Sequence, residues 1–235
     1  MTEKSEQLVI ANETIAALDR AAANGLVAQK EVSQFKKMAL IAGSINELRA
    51  LLTPAVMKPI LALQNTSIGF KTDRPNGGYD VDTVRDCVIE ATLKGVFPVG
   101  NEFNIISGQC YITKEGFGHK LRDVPGLSYT LTPGIPRVPN ENGAIIKVQI
   151  EWTYNKKDSS KELDLAIRVN KGMGTDAIIG KAIRKARAWL YTTVTGQEIG
   201  DGDADGDVID IKADPVASPF EQPPPQEAVQ DELKM

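Results

Sequence analysis

The chain has 235 residues, 42% hydrophobic and 25% charged, enough to bury one substantial core with room for little more than an appendage. No run approaches the ~18 consecutive apolar residues that a membrane span needs, and Met1 to Gln7 is polar with no apolar segment behind it, so a soluble cytosolic protein is expected. Cys87 and Cys110 are the only cysteines, which excludes a disulfide framework or a paired-cysteine zinc site and makes both small buried hydrophobes.

The net charge of −4 conceals an asymmetry. From Glu198 onward 11 Asp/Glu face 2 Lys/Arg, a balance of −9, whereas the preceding 197 residues hold 25 Lys/Arg and 20 Asp/Glu, a balance of +5. A basic body suits a polyanion partner, and an acidic tail suits a competing, screening or partner-docking role, with solubility alone an equally good reason for it.

Ser5 to Ala23 reads as a helix that Gly25 interrupts, and the apolar residues from Val32 to Leu52 continue a helical pattern until Pro54 and Pro59 break it. Thr72 to Tyr79, centred on Pro75-Asn76-Gly77-Gly78, is a loop. A helix follows, capped by Asp80 or Asp82, with Val84, Val88 and Ala91 on one face and Gly95 as its stop. Asn104 to Ile106 and Cys110 to Thr113 form a hairpin around Ser107-Gly108, and Thr113 caps a short helix from Lys114 to Val124 that Pro125-Gly126 ends.

Leu127 to Thr132 is a further strand, closed by a Pro-rich loop. Alternating residues in Ala144 to Tyr154 and Glu162 to Val169 give a long hairpin with one buried side, joined by the polar loop Asn155 to Lys161. The last helix runs from Asp176, its expected cap, to Val194 and stops at Gly196. These elements define an α+β class: a helical region over 1–60, then central antiparallel sheets with packed helices, in one core over 1–197. Residues 198–235 lack the apolar content to offset ordering entropy and are expected to form a disordered acidic tail.

The last helix carries the most informative charges. Lys181, Arg184 and Lys185 fall at i, i+3 and i+4 with Arg187 close by, while Ile178, Ala182, Ala186, Trp189 and Leu190 line the other side. No acidic residue interrupts Ala177 to Gln197, unlike a merely solvated face, and such a stripe suits a phosphate backbone. Lys114, His119, Lys120 and Arg122 form a second basic cluster, and Arg168 and Lys171 are further phosphate candidates.

His119 is the only histidine, so neither a zinc site nor a triad has support around it. Phe103, Tyr111, Phe117 and Tyr129 are candidates for base stacking, although rings at such spacings are more often core. The alternative, a metal-dependent nuclease or other phage DNA-processing enzyme, would use carboxylates such as Glu151 and Asp164, with Glu90, Glu102 and Glu115 elsewhere. No Walker A run is present. Asp201, Asp203, Asp205 and Gly206 match the opening of a calcium loop, but Lys212 stands where its closing Glu belongs.

Glu90-Ala91 running into Gly95-Val96-Phe97-Pro98-Val99-Gly100, then Tyr111-Ile112-Thr113-Lys114-Glu115-Gly116-Phe117, and finally the basic helix Gly180 to Arg187, give a pattern over roughly Leu61 to Gly196. This pattern resembles the RecT/Redβ group of phage single-strand DNA annealing proteins, with Asn101-Glu102-Phe103-Asn104 in place of that group's Tyr and Pro-Tyr signature. The resemblance implies a β-sheet-and-helix core that oligomerises into rings or helical filaments, with the helical N-terminal region serving oligomerisation. Single-stranded DNA would lie along a basic groove with its bases exposed, and no nucleotide, metal or other cofactor would be consumed. A C-terminal extension in such proteins engages a partner exonuclease or the host single-strand-binding protein, which would give the acidic tail its role.

Overall fold

The computed structural model describes residues 2–30, 33–140 and 142–199, so the expected disorder of the tail beyond Ile199 lies outside the described residues. Six helices and seven strands are present there: α1 (Thr2–Ala28), α2 (Gln34–Leu51), α3 (Pro54–Leu61), β1 (Lys71–Thr72), α4 (Val81–Leu93), β2 (Phe103–Ile106), β3 (Gln109–Ile112), α5 (Lys114–Arg122), β4 (Leu127–Pro133), β5 (Arg137–Asn140), β6 (Gly143–Tyr154), β7 (Lys157–Arg168) and α6 (Thr175–Thr195). The α+β class is as expected.

Local chemistry places most of these boundaries. Asp80 is the cap of α4, accepting from the backbone N–H groups of Asp82 and Thr83, and Gly95 takes φ +75° just beyond the helix end. The Thr113 hydroxyl accepts from the Gly116 N–H at the start of α5. Ser107 and Gly108, with φ 52° and 74°, make the two-residue turn between β2 and β3.

Several expectations are corrected. Gly25 does not end α1: it lies inside the helix where α2 and α4 approach, and a Cβ there would collide with Leu93 and crowd Ser44. Pro54 opens α3 as its first residue, and Pro59 sits inside that short helix. Asp176 lies in the first turn of α6, whose cap is Gly174. Asn155-Lys156 alone forms the turn between β6 and β7, with φ 51° and 65°, so β7 begins five residues before the expected Glu162. That early part of β7 is polar on both faces, which is why its sequence reads as a loop. The short strands β1 and β5 carry no alternation that would reveal them.

The strands form two sheets. In one, β1 pairs parallel to β2 and β2 antiparallel to β3. In the other, β6 is central, with β7 along one edge and β4 and β5 sharing the opposite edge. Ala144, Ile146, Val148 and Ile150 on β6 are fully buried beneath α6, whose Ala182, Ala186 and Leu190 are equally buried. Phe70 and Phe103 stack at 5.0 Å in the other part, beside Met57, Val84 and Ile105, and all of these belong to one continuous apolar core. Helix α5 packs along α6 and touches both β3 and β4, so it bridges the two sheets. No helix among the described residues is long and apolar enough to cross a membrane.

Candidate nucleic-acid interface

The cationic face expected on α6 is divided by the fold among three tasks. Lys181 donates to the carbonyl of Arg168 at 3.3 Å and Lys185 to that of Ala166 at 3.1 Å. Four residues of helix advance about 6 Å and two residues of strand about 6.6–6.8 Å, so the two lysines match alternate carbonyls of β7. They blunt an edge that would otherwise be open to another strand, while their charges stay half-exposed.

Arg184 is 2% exposed and its guanidinium lies 4.4 Å from the centroid of the Tyr111 ring. It is therefore a core residue and not a phosphate contact. Arg187 turns towards α5, donating to the carbonyl of Lys114 at 2.5 Å, and its guanidinium packs over Gly118, where a Cβ would collide with it. Its Nε is buried without a hydrogen-bond partner.

Helix α5 contributes unevenly as well. Lys120 donates to the carbonyl of Lys94 at 2.6 Å and sits 4.7 Å from the Tyr191 ring centroid. Desolvation lowers its pKa from 10.5 to about 8, so it is a poor partner for a solvent-borne phosphate. His119 is held between Glu102, at 2.6 Å from Nδ1, and Asp123, at 3.3 Å from Nε2, two carboxylates that compete with any phosphate. Lys114 and Arg122 are exposed, Lys114 with a loose 3.5 Å ion pair to Glu115.

Lys114, Arg122 and Arg187 meet in one cleft of about 440 Å³ between α5 and α6, which Gly100, Glu102, Glu115, Gly118 and Ile183 complete. Each basic helix sends part of its charge to this cleft, while Lys181, Arg184 and Lys185 of α6 and His119 and Lys120 of α5 lie outside its lining. Arg168 and Lys171 are exposed near the start of α6, on the β7 side beside Lys181, and extend positive charge along that flank.

The expected stacking residues are not available. Phe103 and Phe117 are at most 1% exposed and belong to the core, Tyr111 covers Arg184, and Tyr129 is half-buried on the apolar face of the β4–β6 pair. An exposed ring that sequence reasoning missed is Phe97, 42% exposed, 6.3 Å from the His119 ring and with its N–H donating to Glu102 at the cleft. Its neighbour Val99 and, across the loop, Ile68 are also exposed, and the Gly100 N–H donates to the Ile68 carbonyl, which holds the two segments together. The only signal in the sequence was Phe97 between a helix stop and a turn, a position with no helix or strand face to bury it.

The solvent face of the larger sheet has the opposite character. Glu151, Asp158, Glu162 and Asp164 are all exposed there, against Lys147, which pairs with Glu162 at 2.5 Å. A wider depression of about 730 Å³ near the tip of the β6–β7 hairpin carries Glu151 and Asp158 among serine and threonine residues and the rings of Tyr129 and Trp152, and its two carboxylates, with no cation beside them, repel phosphate. Of the carboxylates a nuclease would use, Glu90 pairs with Lys94 at 2.6 Å and Glu102 with His119. No group of three or more His, Cys, Asp or Glu side chains able to hold a metal ion occurs among the described residues.

The burial of Lys120 can be tested by pH. Its folded pKa lies below the unfolded value, so between about pH 8 and 10.5 the unfolded state binds more protons and stability rises with pH. Cys87 and Cys110, raised from 9 to about 12 by burial, act in the opposite sense above pH 9. Comparison with Lys120→Met cancels the cysteines. From pH 7 to 10 the wild-type stability, measured by urea unfolding, should gain on the order of 2 kcal/mol over the variant, and a pH-independent difference would show Lys120 to be solvated.

Compared with protein-family models, with curated proteins and with solved structures, the chain shows no match.

Proposed function

We propose that this protein binds single-stranded DNA and anneals complementary strands without ATP, as a homo-oligomer, in phage-type homologous recombination in the host cytoplasm. The observation that carries the proposal is the convergence of α5 and α6 on one cleft, where Lys114, Arg122 and Arg187, 73 residues apart at the extremes, stand together. Cations of this kind hold a phosphate backbone without reading bases, which leaves the bases free to pair. Phe97 beside the cleft offers a ring face for a base, and the acidic face of the larger sheet directs a polyanion away from that side.

The resemblance of the Glu90 to Gly100, Tyr111 to Phe117 and Gly180 to Arg187 segments to RecT/Redβ-type proteins supports the same reading. Self-association draws on the α1–α2 hairpin, where Val27, Phe35, Met38 and Leu40 are exposed beside a groove of about 560 Å³. The tail is assigned to an exonuclease or a host single-strand-binding protein.

Mixing complementary fluorescent oligonucleotides with the purified protein tests the proposal. Pairing should accelerate at least tenfold without nucleotide and slow steeply as salt rises. Unchanged pairing rates refute the proposal, and Mg²⁺-dependent cleavage of the strands would identify the nuclease instead.

A further inference from the structure

The alternation Asp201-Gly202-Asp203-Ala204-Asp205-Gly206-Asp207 has no calcium-loop closure. It places a carboxylate at every second residue of a chain with no bulky side chain between them, which in extended form spaces the charges by about 6.6 Å. Such a segment imitates the regular negative charge of a single strand.

The described chain ends within reach of the α5–α6 cleft. After α6 closes at Gly196, the Tyr191 hydroxyl donates to Gln197 Oε1 at 3.1 Å, and the same Tyr191 ring carries Lys120 of α5 against it. The chain therefore leaves the core on the side where α6 faces α5. Tyr191 is one helical turn, about 6 Å, from Arg187. Residues 198–207 reach about 33 Å when extended, several times the distance needed. The charges are complementary: −9 from Glu198 onward, against a cleft where Lys114, Arg122 and Arg187 outnumber Glu102 and Glu115.

We propose that Asp201 to Asp207 occupies the α5–α6 cleft of its own core and competes there with nucleic-acid phosphates. This rests on the reading of the cleft as a phosphate site. A tethered segment acts at an effective concentration near millimolar, so it excludes weak and short polyanions and yields to a long strand that also engages Arg168 and Lys181. The tail then filters binding by strand length.

Zero-length carbodiimide cross-linking of the full chain, at low concentration and mapped by mass spectrometry, tests the docking without any DNA. Cross-links within one chain from Asp201–Asp207 to Lys114 are expected, and they should vanish with an oligothymidylate or with 0.5 M salt. Absent cross-links, or cross-links spread evenly to Lys58 and Lys157, overturn the proposal.

Separately, the D201N/D203N/D205N/D207N variant should bind a short oligothymidylate about fivefold more tightly at low salt, whereas D210N/D214N/E221Q/E227Q, with the same change in net charge, should not. Equal gains in both refute a docked segment. Cross-links with no oligothymidylate binding uphold the docking and refute the nucleic-acid reading; binding that depends on Lys114 and Arg122 without cross-links does the reverse.

Discussion

Arg184→Ala is expected to lower the stability of the fold by about 3 kcal/mol, while Lys181→Ala and Lys185→Ala each cost under about 1 kcal/mol. All three residues lie on what the sequence presents as one cationic face, and the fold separates them by burial. Arg184 is 2% exposed and fills the space beneath Tyr111, so truncation removes a cation–π contact at 4.4 Å and leaves a void among packed side chains. The lysines hold their stems over the edge of β7 and lose only a half-exposed hydrogen bond each. A melting temperature lower by roughly 10 °C for Arg184→Ala alone is the expected reading. Equal shifts for all three would mean that Arg184 is as solvated as its neighbours.

The second large effect concerns binding. Lys114→Gln with Arg122→Gln should weaken single-stranded DNA binding about thirtyfold at 50 mM salt and reduce the slope of log K against log salt by about 1.4, because each cation removed leaves one phosphate to its counterions. Both side chains are exposed on the cleft, and neither supports the core, so the melting temperature should stay within about 2 °C. Arg187 is left in place because its bond to the Lys114 carbonyl and its packing over Gly118 join α5 to α6. An unchanged salt slope would move the phosphate path away from the cleft.

The regular elements were legible because their signals are local. Asp80 and Thr113 as caps, Ser107-Gly108 as a turn and the alternation from Ile146 to Ile150 each name their own structure. What escaped depends on packing from elsewhere. Gly25 reads as a helix breaker until α2 and α4 close on it, and Lys157 to Lys161 reads as a loop until β6 pairs with it. The site behaved the same way. Helical spacing groups Lys181, Arg184 and Lys185 on one face, but no pattern within α6 reveals that Tyr111, on strand β3, covers the middle one. Burial likewise removed Phe103 and Phe117 from the stacking candidates and left Phe97, which belongs to no regular element, exposed at the cleft.

The central claim is annealing by an oligomer on single-stranded DNA, and particle mass with and without DNA tests it most directly. Mass photometry of the protein with a long oligothymidylate at low salt should show species many times the mass of one chain, growing further when the complementary strand is added. Particles of one chain or one dimer in every condition, unaltered by DNA, would contradict the account.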